Sequence, residues 1–313
     1  MTVYKNQNNF LQFELWKDCH IGCSFCVNKG QPDLNKTQSL IFVLEKINSD
    51  EIKDYNEIGF IGGEFFNGEL KDPIVKSLFY KIFECVSDLI HKGYINKLYI
   101  TTALIFDMNE WLIPFLEQLE EWKILDKTLL CTSYDIAYRF HTKEREELWK
   151  NNMLQLKNQW QTKGLLVHTE TILTQPFIDS VLSGNFNITE FCDLYKTRID
   201  YIEPASGLYY KNKQECAKDI SGFFPTKKSF IKFIQYTLSR NEIDLSTFLS
   251  MELRSSKLYY IDGGKRLVQE DRRSGEGKAK PCDCTKLYEI GFIDSDDRMI
   301  DVARLIGENY EDE

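Results

Sequence analysis

Apolar and polar positions along the chain switch repeatedly between two periods. Phe10-Leu11-Gln12-Phe13-Glu14-Leu15-Trp16 has period two, with Leu11, Phe13 and Leu15 on one face, which predicts a strand. Thr37 to Ile47 sets Leu40, Ile41, Leu44 and Ile47 at helical spacing. Glu57-Ile58-Gly59-Phe60-Ile61 predicts a second strand, ended by Gly62-Gly63. Asp72-Pro73 opens a long amphipathic helix that stops near Gly93, because Asp72 can accept from the first free amides and Pro73 suits the first turn. Further strands are predicted at Lys97–Thr102, Thr128–Ser133, Leu165–Leu173 and Arg198–Glu203, the last stopped by Pro204. Helices are predicted between them at Trp111–Trp122, Glu144–Trp160 and Pro176–Tyr195, the last interrupted near Gly184. Six strand–helix units in about 200 residues imply an α/β fold with parallel strands, either a barrel or an open doubly wound sheet.

The pattern changes beyond residue 205. Thr226 to Arg240 has helical spacing through Phe230, Phe233, Ile234 and Leu238. Lys257–Ile261 and Tyr288–Ile293 read as strands. Lys265 to Lys280 is rich in Lys and Arg and holds Gly275 and Gly277, so it reads as an exposed mobile loop. The 313 residues therefore divide into a core over 1–205 and a C-terminal α+β extension over 206–313.

Charge and targeting narrow the classes. The formal net charge of −9 disfavours a nucleic-acid partner gripped over the whole surface, because counterion release needs a basic face. The first residues lack the apolar core of a signal peptide, and apolar runs are broken by Lys, Glu or Asp before they reach a membrane span. A reducing cytoplasm is the expected location, where thiols serve as ligands, catalysts or packed side chains rather than disulfides. An odd count of nine cysteines in a chain this long also argues against a small disulfide-stapled fold.

Three of those cysteines stand together. The first strand runs into Lys17-Asp18-Cys19-His20-Ile21-Gly22-Cys23-Ser24-Phe25-Cys26-Val27-Asn28, a C-x3-C-x2-C arrangement that lets one short loop wrap one metal centre. Thiolates are soft donors suited to iron–sulfur clusters, zinc or copper(I). A structural zinc would need a fourth ligand, from His20 or a distant residue. A 4Fe–4S cluster held by three cysteines keeps one iron open to another ligand.

This spacing, with an aromatic residue before the third cysteine, resembles the radical S-adenosylmethionine enzymes. Ile61-Gly62-Gly63-Glu64 at the end of the second strand is similar to that family's Gly-Gly-Glu segment, and the resemblance covers residues 10 to about 205. It implies a partial (β/α)6 barrel of the TIM type. It implies that Cys19, Cys23 and Cys26 ligate three irons while S-adenosylmethionine chelates the fourth. Reductive cleavage would then yield methionine and a 5′-deoxyadenosyl radical that takes hydrogen from a substrate inside the barrel. Gly62, Gly63 and Glu64 would bind the cofactor's amino group, the glycines by letting ligand atoms approach the backbone and Glu64 by accepting from the ammonium. Ser133, Asp135, Glu170 and Glu203 are further cofactor-binding candidates, since barrel sites lie at the C-terminal ends of strands. An external electron donor such as flavodoxin or ferredoxin is implied, and the extension would cover the barrel's lateral opening.

The resemblance leaves the substrate unidentified; a nucleotide, a peptide or a small molecule all fit. A glycyl-radical-enzyme activating protein is one alternative, since those relatives share the same cysteine spacing. Val27-Asn28 counts against the 7-carboxy-7-deazaguanine synthases, which carry Asp-Thr there. An alternative of another class is a non-catalytic zinc- or iron–sulfur-binding module. Cys282 and Cys284 are candidates for a second metal site, while Cys85, Cys131 and Cys192 lie in apolar contexts and read as packed thiols.

Overall fold

Helices and strands follow the two periods closely. The computed structural model describes residues 9–24, 26, 28, 32–202, 225, 227–240 and 255–271. In chain order these form β1 Asn9–Glu14, α1 Lys36–Ile47, β2 Glu57–Ile61, α2 Pro73–His91, β3 Lys97–Thr101, α3 Leu112–Glu121, β4 Thr128–Ser133 and α4 Lys143–Gln159. Then come β5 Leu166–Ile172, α5 Gln175–Leu182, α6 Ile188–Tyr195, β6 Arg198–Ile202, α7 Lys227–Ser239, β7 Ser255–Asp262 and β8 Lys265–Asp271. Local chemistry sets the helix starts. The Asp72 carboxylate accepts from Ile74 N and Val75 N, with Pro73 in the first turn of α2, and Thr142 accepts from Arg145 N at the start of α4.

The strands make one sheet in the order β6-β5-β4-β3-β2-β1-β7-β8. From β1 to β6 each strand lies parallel beside its predecessor. A doubly wound sheet would reverse direction once; this one never does over its first six strands. Right-handed crossovers in an unreversed series put the connecting helices on one face, which is the winding of a barrel. The fold is therefore a partial (β/α)6 barrel, left unclosed because β6 stays at an edge while β1 pairs on its other side with β7.

The two faces of the sheet differ in chemistry. Toward the helices point Leu11 and Phe13 of β1, Ile58 and Phe60 of β2, Leu98 and Ile100 of β3, Leu130 of β4 and Val167 of β5, all in one apolar core. Phe60, Phe79, Phe83 and Phe115 meet there at ring-centroid distances of 4.8–5.6 Å, tying β2 to α2 and α3. The opposite face alternates in register with it. It carries Gln12 and Glu14, then Glu57, Tyr99, Cys131 and Ser133, then His168 and Glu170. Tyr99 donates its hydroxyl to Glu57 at 3.2 Å and packs on Phe10 at 4.9 Å. Phe10, Ile61, Leu129 and Leu166 share this face, so the barrel interior mixes polar and apolar side chains.

One expectation fails at the far edge. Residues 265–271 of the predicted exposed loop form β8, an antiparallel partner of β7. The sign was Asp262-Gly263-Gly264-Lys265: both glycines have positive φ, 57° and 72°, as a two-residue hairpin turn of the primed type needs. The basic composition of the segment hid it, yet Arg266 is held inside the fold, donating to Glu14 O at 2.5 Å and to Ser39 Oγ. The predicted strand Tyr288–Ile293, the rest of that loop, Glu203, Cys282 and Cys284 lie outside the described residues.

Candidate active site at the end of the first two strands

The β1–β2 ladder does not stop where the strands end. Leu15 N donates to Ile61 O at 3.0 Å, Gly63 N to Trp16 O at 2.7 Å and Glu64 N to Asp18 O at 3.1 Å. The Gly-Gly-Glu segment therefore runs alongside Trp16–Asp18, the residues that lead into Cys19. The fit is close enough to require glycine: a Cβ on Gly62 would overlap Trp16 O, and one on Gly63 would overlap Asp18 O. The room these glycines leave is filled by the chain's own backbone. Trp16 reinforces the contact, donating Nε1 to Glu64 O at 3.1 Å.

Glu64 is buried, at 1% exposure. Its Oε1 accepts from Phe66 N and from the Thr102 hydroxyl, both at 3.0 Å, and its Oε2 accepts from Ala103 N at 2.6 Å. Burial pushes the carboxyl up to about 7, against the pull of these donors and of the Arg139 charge. A carboxylate offers about four acceptor positions, and three donors occupy it, so an ammonium group could still be received. Its negative charge also reaches Cys19, whose thiol is pushed up by burial first and by Glu64 and Cys26 next.

The cysteine loop is gripped from behind by the segment joining β4 to α4 and by the first turn of α4. Arg145 donates Nη1 to Ile21 O at 2.8 Å, and His141 donates Nε2 to Gly22 O at 2.9 Å. His20 bonds through Nε2 to Ile105 O at 3.1 Å, and Ser24 N donates to Tyr138 O at 3.0 Å. The backbone amides of Ile21 and Gly22 oppose the rise of the Cys19 thiol. Cys23 is buried while Cys19 and Cys26 are half-buried. Burial pushes the Cys23 thiol up, the Arg139 charge opposes this, and the neighbouring Cys26 and Cys19 add to it. Among the described residues no three His, Cys, Asp or Glu side chains converge to hold a single metal ion. A four-iron cluster takes one thiolate per iron, so its ligands stand further apart than those of one ion. Three thiols on one loop, with no carboxylate among them, suit such a cluster by donor chemistry.

The remaining candidates fall in different places. Asp135 is buried and shapes a turn, its Oδ1 accepting from Ala137 N and Tyr138 N and its Oδ2 from the Thr174 hydroxyl. Burial pushes its carboxyl up. That turn aims Tyr138 and Arg139 at the cysteine loop. Ser133 and Glu170 stand opposite each other, half-buried, where β4 and β5 end on the interior face. Sequence reasoning missed Arg139, Arg145, His141 and Thr102. Arg139 and Arg145 meet the cysteine loop across more than a hundred residues of chain, and no local spacing announces such a contact.

Comparison with known proteins adds little beyond similarity. No family model and no curated protein matches the chain. Among solved structures it is similar to Streptococcus suis SuiB bound to S-adenosylmethionine, at 13% identity and a TM-score of 0.46, over 80% of this chain and 50% of that one. It is similar to SuiB bound to the precursor peptide SuiA at 14% identity and a TM-score of 0.43, over 81% and 57%. The chain spans about half the length of the structures it matches. Among the described residues no helix is long and apolar enough to cross a membrane.

Proposed function

We propose that the chain is a radical S-adenosylmethionine enzyme. The observation that carries this reading is the continued β1–β2 ladder, which sets Glu64 beside the loop of Cys19, Cys23 and Cys26. Two motifs separated by 38 residues, from Cys26 to Glu64, become one site at the mouth of a partial barrel.

Cys19, Cys23 and Cys26 would hold a 4Fe–4S cluster, and Gly62, Gly63 and Glu64 would receive the amino end of S-adenosylmethionine. When bound, these groups supply one-electron cleavage to methionine and a 5′-deoxyadenosyl radical able to take hydrogen from substrate. The chain's own residues do the rest. Arg145 and His141 fix the loop, and Glu64 orients an ammonium. Ser133 and Glu170 line the interior at the same end, where they would meet the cofactor's sugar and base or the substrate. β7 and β8 extend the sheet from β1 on its open side, which suits an extension that covers the barrel opening. The electron is proposed to come from an external donor such as flavodoxin or ferredoxin.

The test is direct. Protein purified without oxygen should be brown and hold iron, and Cys19→Ala, Cys23→Ala and Cys26→Ala should each lose both. Under strong reductant it should release 5′-deoxyadenosine from S-adenosylmethionine. Colourless protein with stoichiometric zinc would refute the reading.

A further inference from the structure

Arg139 is a buried cation without an ion-pair partner among the described residues. It is 6% exposed, and among the described residues no carboxylate lies within ion-pair distance of it. Nη2 donates to Ala103 O at 3.3 Å, Nη1 reaches Cys23 Sγ at 3.8 Å, and Nε has no hydrogen-bond partner. A guanidinium carries five N–H donors, so most of its donor capacity is unspent. A buried guanidinium needs nearby anions, and beyond contact distance the carboxyls of Glu64 and Asp135 lie close enough to feel its charge. Arg145 has no such need, since two backbone carbonyls receive its guanidinium. The side-chain acceptor that Arg139 reaches among the described residues is the Cys23 sulfur, which would be anionic as an iron ligand.

We propose that Arg139 is a positioning and tuning residue for the cysteine-held cluster, donating from Nη1 to Cys23 Sγ and keeping a fixed positive charge beside the thiolates. The inference rests on the iron–sulfur reading above. A hydrogen bond to a ligand sulfur and a nearby cation both favour the reduced cluster, which carries one more negative charge after an electron arrives. Three elements hold the guanidinium in place. The Asp135 turn presents it, Ala103 O after β3 receives Nη2, and the cysteine loop receives Nη1. Its charge also acts on Glu64 and Asp135, favouring their ionised forms. One buried cation thereby links the loop that would hold iron to the carboxylate that would hold the cofactor.

The experiment uses the full chain, reconstituted with iron and sulfide without oxygen, as wild type, Arg139→Lys and Arg139→Met. Iron content, melting temperature and the midpoint of a dithionite titration followed by electron paramagnetic resonance are measured. Arg139→Met should take up wild-type iron but shift the one-electron reduction equilibrium at least tenfold against the reduced form, a fall of about 59 mV. Arg139→Lys keeps the charge and should recover most of that shift. An iron-loaded Arg139→Met with an unmoved midpoint would overturn the proposal, as would a lysine variant that falls as far as methionine. If Arg139→Met does not fold or load, Arg139→Gln replaces it, and equal midpoints for Arg139→Lys and Arg139→Gln would overturn the proposal while a lower one for Arg139→Gln supports it. Wild-type protein that binds no iron would instead sink the cluster reading itself, a distinct outcome from a loaded cluster with an unmoved midpoint.

Discussion

Replacing Glu64 with glutamine keeps its shape and removes its charge, so the change isolates what burial costs. In the wild type the carboxyl sits at about 7 rather than 4.5 because it is buried. A raised carboxyl favours folding fully below its unfolded value, and that contribution is lost as pH rises through the folded one. Between pH 5 and pH 8 the loss amounts to about 2.5 kcal/mol, at about 1.4 kcal/mol per pH unit once both titrations are included. Glutamine does not titrate, so it escapes this loss. It meets a different cost: its amide nitrogen must face either Phe66 N–H or Ala103 N–H, both of which now donate to the carboxylate. A buried donor left unpaired costs about 1–3 kcal/mol at every pH. Glu64→Gln should therefore be less stable than wild type at pH 5 and close to it at pH 8. Thermal melts across that range should narrow the gap by roughly 5 °C. A gap that does not change with pH would refute the burial argument. The same variant should bind S-adenosylmethionine more weakly at pH 8, where the wild-type carboxylate is ionised and can receive an ammonium.

Three other substitutions test the remaining supports. Gly63→Ala puts a methyl group against Asp18 O, backbone that cannot swing aside, so it should cost about 2 kcal/mol or more and abolish iron uptake; wild-type melting and iron content would contradict the packing. Arg145→Ala removes the donor that holds Ile21 O and should cost about 1–2 kcal/mol, with faster hydrogen exchange at residues 19–23 by mass spectrometry; unchanged exchange there would mean the loop is held otherwise. Phe83→Ala opens the aromatic contact between β2, α2 and α3 and should cost about 3–5 kcal/mol in chemical denaturation, a value below about 1 kcal/mol being incompatible with its full burial.

Much of the architecture was legible because it depends on local periodicity. β2, β4 and the start of α2 fall where hydrophobic spacing and caps predict them. The interruption near Gly184 appears as the break between α5 and α6. β8 was missed because charge was weighed above the glycine pair at the turn. Alternation of strands and helices alone left two windings open, and only the strand order separated them, since handed crossovers distribute helices according to order rather than to sequence.

The candidate site divides in the same way. The three cysteines and Gly62-Gly63-Glu64 can be read from the sequence because each motif is contiguous, and soft thiolates or a conformationally free pair of glycines need few neighbours to be recognised. Tertiary structure alone decided that the glycines pack against Trp16–Asp18, that Glu64 is buried between β2 and β3, and that Arg139 of the β4–α4 segment and Arg145 of α4 reach the cysteine loop. The physical reason is range. Periodicity, caps and turns act over a few residues and leave a trace in the chain. Burial, carboxyl protonation and the pairing of a guanidinium with a distant thiol depend on which strand ends meet.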